Sequence, residues 1–105
     1  MDIRRSFGHA LKVARKSRGL TQDDFAVVSS TNFISLLENG KTSPTLQKLE
    51  AICSTLNTHP VTLLALAYII SSSSHDNVDD LLEQVRVEIA DLQARHGEMQ
   101  ARPAL

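Results

Sequence analysis

The sequence predicts an all-α protein, with five short helices in the first seventy residues and a longer amphipathic helix near the end. Three observations carry that prediction. Apolar residues recur at intervals of three and four, residues that cap helices stand ahead of those segments, and no period-two run competes as a strand.

Between Ile3 and Lys16, Phe7, Ala10, Leu11 and Ala14 share one helical face, and Gly19 stands where a C-terminal cap belongs. A second helix, "LTQDDFAVV", follows. Thr21 is its N-cap, Asp23 and Asp24 fall in a first turn whose dipole favours acids, and Phe25 and Val28 share a face. The pair "SS" breaks it. Ser29 or Ser30 then caps a third helix with apolar positions Phe33, Ile34 and Leu37, which stops at the turn signal Asn39-Gly40. Beyond "KTSP", Leu46, Leu49, Ile52, Cys53 and Leu56 mark a fourth helix capped by Ser43 or Thr45. "NTHP" ends it, and Pro60 fits the first turn of a fifth, "VTLLALAYII".

The low-complexity stretch "SSSSHDN" has no apolar anchor and marks the clearest boundary. The expected organisation is a helical domain over 1–70, a Ser-rich linker over 71–77, a C-terminal dimerisation helix over 78–99, and a disordered tail over 100–105. In that last helix Val78, Leu82, Val85, Ile89, Leu92, His96 and Met99 step by four and three, a stripe of about three heptads. Asp76 or Asn77 caps it. Such a stripe packs either on the head domain or on a second chain, parallel or antiparallel. The serine linker and a change of charge favour a homodimer.

Composition narrows the function classes. The 105 residues are one domain's worth, or one small domain with an extension. Only Phe7, Phe25, Phe33 and Tyr68 are aromatic, so Leu, Ile, Val and Ala must build the core. Cys53 is the only cysteine, which excludes an intrachain disulfide and points to a reducing compartment. It reads as a small core residue. Arg4 and Arg5 are followed by a polar stretch rather than the apolar run of a signal peptide, and "LLALAYII" is too short to span a bilayer. The expected location is the cytoplasm, in association with the nucleoid, with no membrane partner.

The net charge of −1 conceals an asymmetry. Through Lys48, eight Lys and Arg residues stand against four acids; beyond it, three Arg face eight acids. A basic head with an acidic tail suits a polyanion-binding domain that carries a separate element. Arg4, Arg5, Lys12, Lys16 and Arg18 are spread around one helix, so only one or two of them can face a single duplex. His9, His59 and His75 lack Cys or carboxylate partners at ligand spacing, so no metal site is expected. No nucleophile elbow and no glycine-rich phosphate loop are present, so neither enzymatic activity nor a cofactor is expected.

Five short helices, a basic bias and the tight "VVSS" corner describe a helix-turn-helix domain. The stretches "ALKVARKSRGLTQDDFA" and "FISLLENGKTSPTLQKLEAICSTLNTHPVTLL" resemble the phage-repressor-like (XRE or Cro-type) helix-turn-helix family over roughly residues 5 to 68. The most specific pieces are "GLTQ", "ISLLENG" and "SPTLQKLEAICSTL". The resemblance implies double-stranded DNA as partner, a third helix that enters the major groove, and an "NGK" loop along the backbone. Gln22, behind Thr21, corresponds to the family's phosphate-binding Gln, and an amide at a helix N-terminus suits an anionic oxygen. Ser30, Thr31, Asn32 and Ser35, with Asn39 and Lys41 of the loop, complete the expected DNA-binding set. Asn32 is the best base reader, since its amide pairs with adenine in bidentate fashion. The family pattern pairs Glu38 with Arg15 as a structural ion pair. Two departures stand out: the "AVVSS" turn is about two residues shorter than usual and lacks its Gly, and Thr31 and Leu36 occupy positions often held by Arg or Lys.

The expected function is a sequence-specific DNA-binding transcriptional regulator, a repressor or autoregulator that binds a palindromic operator as a dimer. The alternative is a protein-interaction module on a helix-turn-helix scaffold, antitoxin-like, whose tail helix binds a partner protein. The lightly charged third helix speaks for the second; "TQ", Asn32, "NGK" and the basic head speak for the first.

Overall fold

Asp2 opens the first helix by accepting the Arg5 amide at 2.9 Å on its side-chain oxygen. The computed structural model describes residues 2–71 and 77–100, with side chains to residue 97. In order come α1 (Ile3–Ser17), a 3-10 turn (Gln22–Phe25), α2 (Thr31–Glu38), α3 (Leu46–Leu56), α4 (Pro60–Ser71) and α5 (Val78–Gln100), with no strand among the described residues. The alternatives for three caps resolve to Ser30, Thr45 and Asn77, each of which accepts the amide three residues on. α4 runs through Ser71 and α5 to Gln100, one residue beyond each expected bound. Most of the expected linker and the tail 101–105 lie outside the described residues, as do His75 and the side chain of Met99.

Three helices stop in the same way. Gly19, Gly40 and Asn57 have φ of +71°, +71° and +52°. In each case that residue's amide and the next one return to carbonyls of the last turn, as with Gly40 to Leu37 at 3.1 Å and Lys41 to Leu36 at 2.9 Å. This double bond pattern satisfies carbonyls that a helix end otherwise leaves unpaired.

The second helix differs most from expectation. It is one 3-10 turn, followed by turn residues at Ala26–Val28 rather than a helix through "AVV". The physical reason is local. Val27 and Val28 are β-branched and lose side-chain freedom in a helix. The Phe25 carbonyl accepts both Val28 and Ser29 amides, at 2.9 and 2.8 Å, which closes the turn. The Val28 carbonyl accepts instead from Lys48 Nζ of α3 at 2.6 Å, and that ammonium lies 5.8 Å from the centre of the Phe33 ring.

The core lies where α1 crosses α2 and α4. Phe7, Ala10 and Leu11 meet Phe25, Ile34, Leu37, Ile52, Cys53, Leu56, Leu63 and Ala67, with Leu49 at its edge. Phe25 is fully buried in it and Phe7 nearly so, and aliphatic residues with Cys53 fill the rest. Cys53 is one of these packing residues, and burial pushes its thiol pKa up. Gly8 lets α1 approach the end of α2: a Cβ there would stand 2.7 Å from the Glu38 carbonyl oxygen and closer still to that of Leu37.

The start of α5 lies along α4. Val78 and Leu82 share an apolar groove of about 340 Å³ with Val61, Ala65, Leu66 and Ile69. Further along, Val85 is half-buried, while Ile89 and Leu92 are 49% and 63% exposed. The stripe is thus divided between the head domain and solvent. Among the described residues, no single helix is long and apolar enough to cross a membrane.

Gly8→Ala is expected to cost about 1–3 kcal/mol, because the new methyl meets backbone oxygens rather than a side chain that can move. Urea unfolding followed by circular dichroism measures it, and an unchanged midpoint would show that α1 can back away from α2 at no cost.

Candidate nucleic-acid interface

Ile34 and Leu37 anchor α2 in the core and so set which face turns outward. The outward face carries Thr31, Asn32 and Leu36, all exposed, and half-buried Ser35. Thr31 and Asn32 occupy the first turn, beyond the Ser30 cap, where helix amides and the positive dipole end face solvent. The Thr31 hydroxyl donates to Asp23 Oδ1 at 2.6 Å. An acid thus stands beside the N-terminal end of α2, and α2 itself contains no Lys or Arg. At its other end, Asn39 Nδ2 donates to the Ser35 carbonyl at 2.8 Å, and Lys41 follows Gly40 on the exposed loop.

A polar node behind this surface holds α2 in place. Arg15 Nε donates to Glu38 Oε2 at 2.6 Å and its Nη2 to Oε1 at 3.1 Å, a bidentate fork. Arg15 Nη1 donates to the Leu20 carbonyl at 2.9 Å, and Gln22 Nε2 donates to Glu38 Oε1 at 3.1 Å. The side chains of Arg15 and Glu38 are 11% and 3% exposed. The hydrogen bond to Glu38 raises the Arg15 pKa above its ordinary value, burial opposes it, and the carboxylate charge adds to it. Gln22 therefore gives one amide hydrogen to the node and keeps the second. Thr21 is exposed just ahead of it, and its amide donates to Asp24 Oδ2 at 2.6 Å.

The structure brings Thr21, Gln22, Ser30, Thr31, Asn32 and Ser35 to the turn and the adjacent face of α2, and sets Asn39 and Lys41 at its far end. Ser30 spends its hydroxyl oxygen on the Phe33 amide at 3.0 Å. Four basic residues acquire roles that helical spacing does not show. Arg18 donates to the Leu56 carbonyl and the Thr58 hydroxyl, closing the end of α3. Lys48 holds the turn. Arg4 and Arg5 lie beside the Asn39–Lys41 loop, in a cleft of about 640 Å³. A hint of this last arrangement was the glycine of "ENG", whose lack of a Cβ lets the loop touch Arg5. Among the described residues, no group of three His, Cys, Asp or Glu can hold a metal ion.

Comparison with known proteins fits this geometry. A helix-turn-helix family model matches residues 11–63, just over half of the chain, from within α1 into α4. No curated protein matches. Two crystal structures of the clp gene regulator ClgR from Corynebacterium glutamicum are similar in fold. One aligns with a TM-score of 0.65 at 24% identity, covering 70% of this chain and 97% of that one. The other aligns with a TM-score of 0.62 at 21% identity, covering 89% and 92%.

Glu38→Gln leaves the Arg15 guanidinium buried without a counter-charge and is expected to cost about 3–5 kcal/mol. The double variant Arg15→Met, Glu38→Leu should be more stable than either single change, since neither charge is then stranded. Denaturant melts of the wild type, Glu38→Gln, Arg15→Met, Glu38→Leu and the double variant test this, and additive losses in the double would show that the pair is not coupled.

Proposed function

The chain belongs to the phage-repressor-like helix-turn-helix family, and we propose that it is a DNA-binding regulator of transcription, a repressor or autoregulator that binds a palindromic operator as a homodimer. The observation that carries this reading is the outward face of α2. Asn32 is exposed on its first turn with no core role, suited to bidentate pairing with adenine in the major groove. Thr31 and Leu36 offer apolar contact to thymine methyls, and Ser35 a hydroxyl. Gln22 and Thr21 ahead of α2, and Asn39 and Lys41 behind it, suit phosphates and set register rather than sequence. With no cation on α2, affinity per monomer is low, so two copies on one duplex are needed. The exposed Ile89 and Leu92 of α5 support pairing through that helix. The domains so proposed are a DNA-binding head through residue 70 and a pairing helix from residue 78.

Selection from a random duplex pool at near-physiological salt tests the reading. The expected outcome is a palindrome with half-sites about 34 Å apart or a multiple of that, and retention that falls as salt rises. No enriched motif from a folded protein would sink it. Asn32→Ala should relax preference at one base position at a cost of about 1–3 kcal/mol.

A second reading is favoured by one observation, the acid at the start of α2: Asp23 bonds Thr31 where a phosphate would otherwise come near. On that reading the helix-turn-helix is a scaffold and α5 recruits a partner protein, as an antitoxin does. The two separate by mutation. Under the regulator reading, Lys41→Glu weakens duplex binding, and Leu92→Asp gives a monomer by sedimentation with operator affinity reduced. Under the scaffold reading, Lys41→Glu and Asn32→Ala leave function intact, while Val85→Asp or Leu92→Asp abolishes it.

A further inference from the structure

We propose that Arg4 and Arg5, at the start of α1, form with Lys41 a phosphate-binding cleft that grips the DNA backbone beside the C-terminal end of α2. The inference rests on the regulator reading and adds two residues to its contact surface. The cleft is bounded by Arg4 and Arg5 on one side and by Asn39, Gly40, Lys41 and Ser43 on the other. It brings together three cations from segments more than thirty residues apart, against one acid, Asp2. Asp2 is already occupied, accepting the Arg5 amide on Oδ1 as the N-cap of α1. Among the described residues, none of the three cations is in an ion pair. Their charge faces outward rather than stabilising the fold.

The cleft depends on Gly40. Its α-carbon side is so close to α1 that a Cβ there would lie 2.9 Å from Arg5 Cγ and 3.1 Å from Arg5 Cα. Its φ of +71° also turns the chain back, so that Lys41 follows next to Arg5. A planar guanidinium offers paired N–H donors that match phosphate oxygens, and Lys41 adds a point charge beside it. The need for such a grip is set by α2, which has no Lys or Arg of its own, while backbone neutralisation supplies much of the affinity of any duplex-binding protein. The acids Asp23 and Asp24 lie at the other end of the interface, on the 3-10 turn. The duplex would thus be held most firmly at the end of α2 away from its base-reading turn.

The test compares the full-length wild type, Arg4→Gln/Arg5→Gln, Arg4→Lys/Arg5→Lys and Asn32→Ala. Each is titrated by fluorescence anisotropy, across a salt series, against a duplex carrying the selected operator and an unrelated duplex of equal length. The Gln pair should weaken binding to both duplexes by a similar factor. It should also lower the slope of log K against log salt by about two, roughly 0.9 for each lost phosphate contact. The Lys pair, which keeps the charge, should retain the slope. Asn32→Ala should narrow the distinction between duplexes, by weakening the operator alone, with its slope unchanged. A wild-type slope in the Gln pair, while the wild type still prefers its operator, overturns the cleft alone. A loss confined to the operator overturns it too, since phosphate contacts carry no sequence. A wild type that prefers no sequence overturns the regulator reading, and the cleft with it. Thermal melts guard against misfolding: should the Gln pair unfold, Lys41→Gln takes its place, with an expected slope loss of about one.

Discussion

The Arg15 guanidinium reaches across 23 positions of sequence to Glu38 and, in the same fork of donors, to the Leu20 carbonyl. Gln22 joins the same carboxylate from the 3-10 turn. Four pieces of backbone thus converge on one buried charge pair: the end of α1, the loop after it, the start of the turn, and the end of α2. A domain this small could have met there through apolar side chains, often at no loss of stability, because removing two charges from water is costly. Direction is what the fork adds. Its two parallel hydrogen bonds are satisfied in only one rotation of α2 about its axis, and that rotation sends Thr31, Asn32 and Leu36 outward. Ile34 and Leu37 enforce the same rotation from the apolar side, so polar and apolar constraints agree.

The turn between the 3-10 segment and α2 shows the opposite case, where a local element depends on a distant side chain. "AVVSS" has no glycine to take a left-handed conformation, and two β-branched residues resist continuing a helix. The Val28 carbonyl would be left without a helical partner, and Lys48, twenty residues on, supplies one while its stem passes the Phe33 ring. A lysine that composition counts as a free cation is thus part of the fold. The charge asymmetry of the sequence overstates how much positive charge is available to a polyanion.

What the sequence discloses and what it hides divide along the same line. α1 and α3 were legible because each buries one stripe at helical spacing, and α4 because Pro60 opens a continuous apolar run; these are properties of their own residues. The caps at Ser30, Thr45 and Asn77 are likewise local, although spacing alone left two candidates at each, whereas the cap at Asp2 was not singled out. The length of the second helix was not legible, since the apolar spacing of Phe25 and Val28 fits a helix as well as the turn that the Phe25 carbonyl closes, and the Val28 carbonyl left open there finds its partner in Lys48 of α3. Nor was the sorting of the basic residues of α1, because Arg18 is absorbed by the end of α3 and Arg4 and Arg5 by a cleft that only the α1–α2 crossing creates. The Arg15–Glu38 contact came from family resemblance rather than from spacing. The tail stripe was legible as a stripe, but its division between α4 and solvent depends on where α4 ends and how α5 returns along it.

One arrangement has a bearing on how such a protein changes over generations. The side chains on the outward face of α2 take no part in the Arg15–Glu38 node or in the core, and both ends of the helix are closed by residues outside that face, Ser30 and Gly40. Only Thr31 and Ser35 are tied to neighbours, through Asp23 and Asn39. Asn32 and Leu36 can therefore drift while the domain keeps its stability, so duplicated copies of the gene would be free to acquire different targets by one or two codon changes without first passing through an unfolded ancestor.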